Sequence, residues 1–293
     1  MITIHSNKFR AEINEHGAEL THLINLSENY DYIWNGDLWP KHAPVLFPAI
    51  GRSNNDSYLY DGKHYDMPQH GFASDSDFSI IDKRENYVSL LLTDSEKTRY
   101  YYPFSFRLVI NFELKNNGLS VSFNVKNIDK KELSFSLGYH PAFNVPLFGK
   151  GKFNDYQVKI DPELSQLNIW EIIKKPYPYR TGKLVPMPGA KKSIINLDYS
   201  IFQKGLLIIE NKGLKSAELI NTLDNHSIKV LLNDFRYLCL WTKEDAFAPF
   251  LCLEGFNGLP DVYGKEQNLE EKEGNFHLVS SKEKKFNYQI ILN

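Results

Sequence analysis

Two neighbouring stretches with apolar residues at every second position constrain the fold of this chain most. Apolar side chains occupy every second position from residue 106 to 114 and again from 119 to 125. The sequence Asn116-Asn117-Gly118 between them is typical of a tight turn. A period of two residues is that of a β-strand, and two such strands joined by a short turn form a hairpin with one apolar face. The sequence therefore predicts an antiparallel sheet that covers a hydrophobic core.

The rest of the chain repeats this pattern on a smaller scale. Asp61-Gly62 separates two short alternating runs and predicts a second hairpin. Further short strands are predicted at residues 206–209, 216–220, 227–232, 237–241 and 250–254. No stretch has the period of a long amphipathic helix, and none resembles a linker between domains. We therefore expect residues 1–293 to form one mainly β domain, a large antiparallel β-sandwich.

One region departs from the strand pattern. Residues 164–173 fit either a short helix or an irregular crossing. Prolines at positions 176, 178, 186 and 188 then predict a long loop over residues 176–188. Loops of this length usually cover or bind something.

Charge and composition exclude several classes of protein. The net charge is −2, so the chain lacks the positive surface that nucleic acids or anionic membranes attract. Cys239 and Cys252 are too few for a disulfide framework, are not spaced as a metal-binding pair, and lie in apolar strands, which favours packing. The N-terminus lacks the features of a secretion signal, and no stretch reaches the ~20 apolar residues of a membrane span. We expect a cytoplasmic protein whose partner is a small molecule.

His140 ends a run of alternating side chains over residues 133–140. The apolar members of the run share one face, and the other face carries only small residues and His140. Pro141 ends the strand directly after the histidine. An imidazole at the end of such a face is typical of a group that contacts a ligand. The alternative is a histidine hydrogen-bonded to a neighbouring loop, and the pattern alone favours neither.

Glu254 follows the apolar run 250–253 and precedes Gly255. In a strand it shares one face with Cys252. A carboxylate in an apolar strand is costly unless it is hydrated, paired or used in chemistry. Burial would raise its pKa and make it a competent general base. The alternative is a strand-end carboxylate that reaches water.

Three further residues are candidate ligands of a substrate. His70 precedes Gly71, which leaves space beside the ring. Arg52 is suited to clamping hydroxyls or a carboxylate. Trp34 is suited to stacking on a ring such as a sugar, as are Trp39, Trp241, Phe72 and Tyr139. Each has an ordinary alternative: a structural loop histidine, a surface ion pair and a core aromatic residue.

Motifs of other chemistries are missing from the sequence. The nine histidines include no His-x-His or His-x-x-x-His pair, so a metal site would have to be assembled from distant segments. The chain also has no glycine-rich phosphate-binding loop and no serine-nucleophile elbow.

The sequence resembles the aldose 1-epimerase (galactose mutarotase) family, and in particular its LacX-type branch. The resemblance covers nearly the whole chain and runs through Tyr32-Ile-Trp-Asn-Gly36, Val45-Leu-Phe-Pro-Ala-Ile-Gly-Arg52, Gln69-His-Gly-Phe72, Leu137-Gly-Tyr-His-Pro-Ala-Phe-Asn144, Leu240-Trp-Thr-Lys243 and Leu251-Cys-Leu-Glu-Gly-Phe-Asn-Gly-Leu-Pro-Asp261. No single motif is decisive, but their order along the chain is that of the family.

The resemblance implies a fold and a set of roles. The family's fold is a large antiparallel β-sandwich called a supersandwich. Glu254 matches the family's general base and His140 its general acid. His70 and Arg52 match residues that hold the sugar near its ring oxygen and hydroxyls, and Asp234 is a weak candidate for the family's substrate-binding aspartate.

The function implied is the interconversion of the α and β anomers of an aldohexose such as galactose or glucose, without metal or organic cofactor. We expect Glu254 and His140 on opposite sides of one cavity, in a monomer or homodimer. One alternative is a non-catalytic sugar-binding or sensing protein on the same fold. Another is an epimerase of a hexose phosphate, for which cations are available at Lys41, Arg52, Arg99, Arg236 and Lys243.

Overall fold

A computed structural model describes residues 1–210, 213–221, 223–232 and 234–293. Strands make up 49% and helices 10% of the structure, which confirms the prediction of a mainly β fold. None of the helices in the described ranges has the length and apolar content needed to cross a bilayer.

The strands are numbered along the chain. The first fourteen are β1 Ile2–His5, β2 Phe9–Asn14, β3 Glu19–Asn25, β4 Tyr30–Asp31, β5 Val45–Leu46, β6 Ser57–Tyr60, β7 Lys63–Asp66, β8 Ser79–Arg84, β9 Tyr87–Thr93, β10 Phe106–Lys115, β11 Gly118–Asn127, β12 Leu133–Phe135, β13 Leu137–Tyr139 and β14 Ala142–Asn144. The others are β15 Tyr156–Asp161, β16 Asn168–Ile173, β17 Tyr179–Pro186, β18 Ala190–Lys191, β19 Ile194–Asn196, β20 Leu207–Ile209, β21 Ser216–Asn221, β22 Ser227–Leu231, β23 Tyr237–Trp241, β24 Phe250–Asn257, β25 Phe276–Leu278 and β26 Glu283–Leu292.

Helices are short. The α-helix α1, Glu96–Tyr101, begins at Ser95, whose side chain caps it. Single 3₁₀ turns lie at Asn54–Asp56, Ala73–Asp75, Leu147–Gly149, Phe153–Asp155, Tyr199–Phe202, Glu244–Ala246 and Leu269–Glu271.

Two large antiparallel sheets form a sandwich. The ten-stranded sheet has the order β18-β19-β15-β21-β22-β26-β11-β10-β9-β8. The eight-stranded sheet has the order β17-β16-β20-β23-β24-β13-β5, with β14 also paired to β24. Smaller sheets contain β1 to β4, the pair β6-β7 and the pair β12-β25.

Aromatic side chains join the two large sheets. Tyr139 of β13 contacts Phe123 of β11 and Tyr288 of β26, with ring centroids 5.5 and 5.2 Å apart. The Tyr288 hydroxyl also donates a hydrogen bond to the backbone carbonyl of Leu253 in β24, at 2.5 Å. All of these side chains are buried, and each contributes roughly 1.5–3 kcal/mol through loss of apolar surface from water. These contacts cover one face of the eight-stranded sheet, and the side chains that alternate with Tyr139 and Leu253 project from the other face.

Both predicted hairpins are confirmed. Strands β10 and β11 pair from Phe106 opposite Asn127 to Lys115 opposite Gly118. The alternating residues on one face of each are buried, as the two-residue period requires. Strands β6 and β7 form the hairpin around Asp61-Gly62.

The prediction of a single strand at residues 133–140 is wrong in one respect. The segment forms two strands, β12 and β13, in different sheets. They are separated at Ser136, whose backbone N–H donates to the carbonyl of Pro48 at 2.8 Å instead of to a strand neighbour. Ser136 itself hydrogen-bonds Asn275, so the small polar face is occupied inside the protein. Of that face, His140 is the residue that reaches a cavity.

The predicted long loop at residues 176–188 is also wrong for most of its length. Strand β17 occupies Tyr179–Pro186 and pairs with β16, where a helix or irregular crossing was expected. Proline is compatible with this strand because β17 lies at the edge of its sheet. On the outer side of an edge strand, a residue without an N–H does not remove a hydrogen bond between strands. The loop that remains includes Pro178, which lines the cavity described next.

Candidate active site

A cavity of about 390 Å³ lies on the eight-stranded sheet. This volume falls within the range of roughly 300–1,000 Å³ that is common for small-molecule sites. The polar residues that line it are Lys41, Gln69, His70, Ser74, Asp75, His140 and Glu254. The remaining wall is formed by Trp39, Pro44, Leu46, Gly51, Pro178, Leu206, Trp241, Phe256 and Pro260.

Strand register brings His140 and Glu254 together. Strands β13 and β14 pair with β24 in one register, in which Tyr139 is opposite Gly255. In that register His140 is directly opposite Glu254, and cross-strand neighbours project from the same face of a sheet. On the other side of β24, Cys239 of β23 is opposite Glu254. Three strands therefore place an imidazole, a carboxylate and a thiol in one row.

The imidazole and the carboxylate lie side by side on the cavity floor, not on opposite sides as we expected. His140 Nε2 is 3.2 Å from Glu254 Oε2, and both side chains are buried. Their orientation does not make a hydrogen bond. Among the described residues, neither Glu254 Oε2 nor His140 Nδ1 has a hydrogen-bond partner. Buried polar atoms nearly always have a partner, so a pair left open in this way is suited to a ligand.

Burial perturbs both groups towards their neutral forms. Loss of water lowers the pKa of His140 well below its ordinary 6.5, and the nearby His70 adds to this effect. Loss of water raises the pKa of Glu254 well above its ordinary 4.5, while the thiol of Cys239 opposes the rise. Burial therefore favours the form in which Glu254 holds a proton and His140 is neutral, and this form can both give and accept a proton.

His70 is held by an unusual backbone conformation. His70 and Gly71 both have positive φ, 67° and 78°. A β-carbon at Gly71 would lie 2.2 Å from the carbonyl oxygen of Phe47, so this position requires glycine. The backbone N–H of Gly51 donates to His70 Nδ1 at 3.1 Å, and burial, with Arg52 nearby, lowers the pKa of His70 to about 4. Because Nδ1 accepts this hydrogen bond, the neutral ring carries its proton on Nε2, which lies 3.4 Å from the side-chain nitrogen of Gln69.

Trp39 and Trp241, rather than Trp34, form the aromatic wall. Trp39 stacks on His140 with ring centroids 5.1 Å apart, and Trp241 meets the same imidazole edge-on at 5.9 Å. Trp34 is buried, does not line the cavity, and donates from Nε1 to the carbonyl of Trp39 at 3.0 Å. Its contact with the cavity is thus indirect, through the position of Trp39.

Arg52 lies behind the cavity wall. Its guanidinium makes two hydrogen bonds to Asp56, at 2.7 and 2.9 Å, and one to Gln69 at 3.3 Å. It also lies over the ring of Tyr177, 4.0 Å from the ring centroid. Arg52 is not among the lining residues, whereas Gln69 and His70 are. The structure therefore places Arg52 where it orders the neighbouring wall.

Asp234 is not brought to the cavity. Its carboxylate oxygen Oδ2 accepts two hydrogen bonds from Asn287, one from the backbone at 2.9 Å and one from the side chain at 2.7 Å. Its backbone carbonyl accepts from Asn257. These contacts tie the turn before β23 to β26, which is a structural arrangement.

A second acidic residue lines the cavity besides Glu254: it is Asp75, which sequence reasoning missed. It lies 3.3 Å from Lys41 Nζ, and Lys41 is the one cation among the described lining residues. The segment 73–75, a 3₁₀ turn, follows His70-Gly71 closely in sequence. Proximity to that motif is the one signal that would have indicated Asp75.

A metal ion has one place to bind among the described residues. A nitrogen of His140, the sulfur of Cys252 and a carboxylate oxygen of Glu254 all lie within 4.8 Å of one another. These groups come from two distant segments, as the histidine spacing in the sequence required of any metal site.

Comparison with known proteins gives consistent results. The model of the family described as "Aldose 1-epimerase" matches residues 1–287. The chromosomal and plasmid LacX proteins of Lactococcus lactis subsp. lactis are each 28% identical to the chain, over 87% of both sequences.

Solved structures agree over the whole chain. A galactose mutarotase-like protein from Lactobacillus casei has a TM-score of 0.95 and 40% identity, with 100% of both chains covered. A galactose mutarotase related enzyme from Lactobacillus acidophilus has a TM-score of 0.92 and 29% identity, with 100% of this chain and 97% of that one covered. These likenesses confirm the expected supersandwich fold.

Proposed function

The chain belongs to the aldose 1-epimerase family, and we propose that it interconverts the α and β anomers of a free aldohexose such as galactose or glucose. The observation that carries this proposal is the pair His140 and Glu254, 3.2 Å apart on the floor of a sugar-sized cavity. Opening a hemiacetal ring requires one group to take the proton from O1 and another to protonate the ring oxygen O5. Both oxygens are bonded to C1, so two neighbouring groups can serve them together.

The proposed reaction starts from the form of the pair in which its one proton is on His140, so that Glu254 is a carboxylate and His140 an imidazolium. Glu254 then takes the O1 proton as the C1–O5 bond breaks, C1=O1 forms and His140 gives its proton to O5. The pair is left neutral, in the protonation state that burial favours. The open aldehyde rotates about C1–C2 and closes by the same steps in reverse.

The other lining residues support this chemistry by orienting the sugar. In this proposal the Nε2–H of His70, a lining residue, donates to a sugar oxygen, and Trp39 and Trp241 offer apolar faces to the sugar ring. Each correctly placed proton-transfer group typically contributes about 10²–10⁴-fold to the rate. Two such groups are sufficient for the reaction without a Lewis acid in the mechanism.

A free sugar is favoured over a hexose phosphate by the charges at the cavity. The lining cation Lys41 is paired with Asp75, and Arg52 is paired with Asp56. Arg99 is paired with Asp94, and the described contacts do not bring two free cations to the cavity. A phosphate dianion would need such a cluster. A non-catalytic binding protein is disfavoured by the open acid–base pair.

The test is polarimetry of freshly dissolved α-galactose, with its 6-phosphate followed in parallel. Glu254→Gln and His140→Asn are expected to lower the enzymatic rate by about 10²–10⁴-fold. Asp234→Asn is the matched control, since it changes an acidic residue away from the cavity. The proposal fails if both cavity variants keep the wild-type rate. Binding of sugar without acceleration by the wild-type protein would instead identify a sugar-binding protein.

A further inference from the structure

The floor of the cavity combines three different metal-binding groups. They are the imidazole of His140, the thiol of Cys252 and the carboxylate of Glu254, all buried. We propose that these three side chains bind a thiophilic divalent cation such as Zn²⁺, and that the bound cation blocks the catalytic pair. The cation is thus an inhibitor that competes with catalysis, and the reaction itself does not use it.

The distances fit a tetrahedral ion. With bonds of about 2.0–2.2 Å to nitrogen and oxygen and about 2.3 Å to sulfur, tetrahedral ligand atoms lie roughly 3.3–3.7 Å apart. The observed 3.2 Å between His140 Nε2 and Glu254 Oε2 is close to this value. The sulfur of Cys252 lies within 4.8 Å of a nitrogen of His140 and of a carboxylate oxygen of Glu254, so metal binding requires it to approach both atoms more closely.

An independent observation points to a ligand at the same place. Glu254 Oε2 is buried and has no hydrogen-bond partner among the described residues, although it lies 3.2 Å from His140 Nε2. An unsatisfied buried carboxylate oxygen is costly, and a cation bound there would remove that cost. The neighbouring thiol Cys239 lies on the other side of Glu254 and is not in the cluster.

The chemistry of the three ligands selects the ion and explains the effect. A thiolate favours Zn²⁺ and similar ions over Mg²⁺ or Ca²⁺, which prefer oxygen ligands alone. Binding releases the thiol proton and the proton shared by His140 and Glu254 to the solvent. These two residues line the cavity whereas Cys252 does not, so the fourth coordination position faces the cavity. With both proton-transfer groups coordinated, neither can exchange a proton with a sugar.

The direct test is titration of the full-length, tag-free, chelator-treated protein with Co²⁺. We expect one equivalent to produce a sulfur-to-cobalt charge-transfer absorption in the near ultraviolet. Cys252→Ala should abolish it and weaken binding by more than the roughly 10–100-fold that loss of an outer-shell partner costs. Cys239→Ala is the matched control, because it removes a buried thiol beside the same carboxylate, and it should keep the absorption. If Cys252→Ala is poorly folded, Cys252→Ser gives the same test with a nearly isosteric side chain.

A wild-type protein without this absorption, or an absorption unchanged in both Cys252 variants, would overturn the site. This readout does not depend on the proposed sugar chemistry. The inhibition rests on that chemistry and is tested separately, as the rate of each variant with Zn²⁺ relative to its own rate with chelator. We expect at least tenfold inhibition of the wild type and of Cys239→Ala. Equal inhibition of Cys252→Ala would overturn the blocking mechanism, whereas a wild type inactive with chelator would overturn the proposed function alone.

Discussion

A buried ion pair behind the cavity gives the sharpest stability prediction. Lys272 Nζ lies 2.5 Å from Asp261 Oδ1 and also donates to Ser53 Oγ at 2.9 Å. The two charged side chains are only 10% and 2% exposed. The backbone N–H of Asp261 donates to the carbonyl of Arg52, so the pair also anchors the segment that carries Arg52. We therefore consider Lys272→Met, which keeps an unbranched side chain that is one atom shorter and removes its charge.

Burial decides how much this substitution costs. An exposed ion pair is usually worth about 0.2–1 kcal/mol, because water screens it. Removing one member of a buried pair costs about 3–5 kcal/mol, because the other charge stays without its partner. In the variant, the Asp261 carboxylate keeps the N–H of Asn54, at 3.1 Å, and loses the ammonium. We expect Lys272→Met to lower the free energy of unfolding by the amount typical of a buried pair, about 3–5 kcal/mol. At the 2–4 °C per kcal/mol usual for larger domains, this corresponds to a fall in Tm of about 6–20 °C.

The assay is urea denaturation with linear extrapolation, supported by thermal unfolding. The chain supplies a matched control in Lys192→Met. Lys192 pairs with Glu163 at 3.0 Å, but these side chains are 68% and 69% exposed, so the loss should stay below about 1 kcal/mol. The double variant Lys272→Met with Asp261→Asn should recover part of the loss, since no uncompensated charge is left. The reasoning is refuted if Lys272→Met costs no more than Lys192→Met.

Three further predictions concern the cavity. In the presence of chelator, the mutarotation rate should fall on the acid side when His140 becomes protonated, well below pH 6.5. It should fall on the alkaline side when Glu254 loses its proton. A pH–rate profile in which activity is already lost near pH 6.5 would contradict this prediction. Gly71→Ala should lower the free energy of unfolding by about 1–2 kcal/mol for its positive φ and by about 1–3 kcal/mol more for the close contact. Gly62 has a similar φ but open space beside it, so Gly62→Ala should lower the free energy of unfolding by only about 1–2 kcal/mol in the same denaturation assay. Trp39→Ala should raise KM by about 2- to 12-fold, the equivalent of the roughly 0.5–1.5 kcal/mol of an aromatic contact, and an unchanged KM would exclude Trp39 from sugar binding.

Local patterns in the sequence were enough to predict much of the sheet structure. The alternation on both sides of residues 116–118 predicted β10 and β11 because a hairpin joins strands that are neighbours along the chain. The same period placed Cys252 and Glu254 on one face of β24, since side chains two residues apart in a strand project together. Proline misled at β17, because a sequence does not tell an edge strand from a loop.

The sequence by itself determined the strand period, the turns, the likeness to the family, and the identity of the side chains available for chemistry. Tertiary structure alone decided which of them meet. His140 and Glu254 are 114 positions apart, and they become neighbours because β13, β14 and β24 pair in one register. It also decided that Trp39 rather than Trp34 faces the cavity, and that Asp75 rather than Asp234 lines it. The physical reason is that strand period is a local property of the backbone, whereas register between distant strands depends on how the whole core packs.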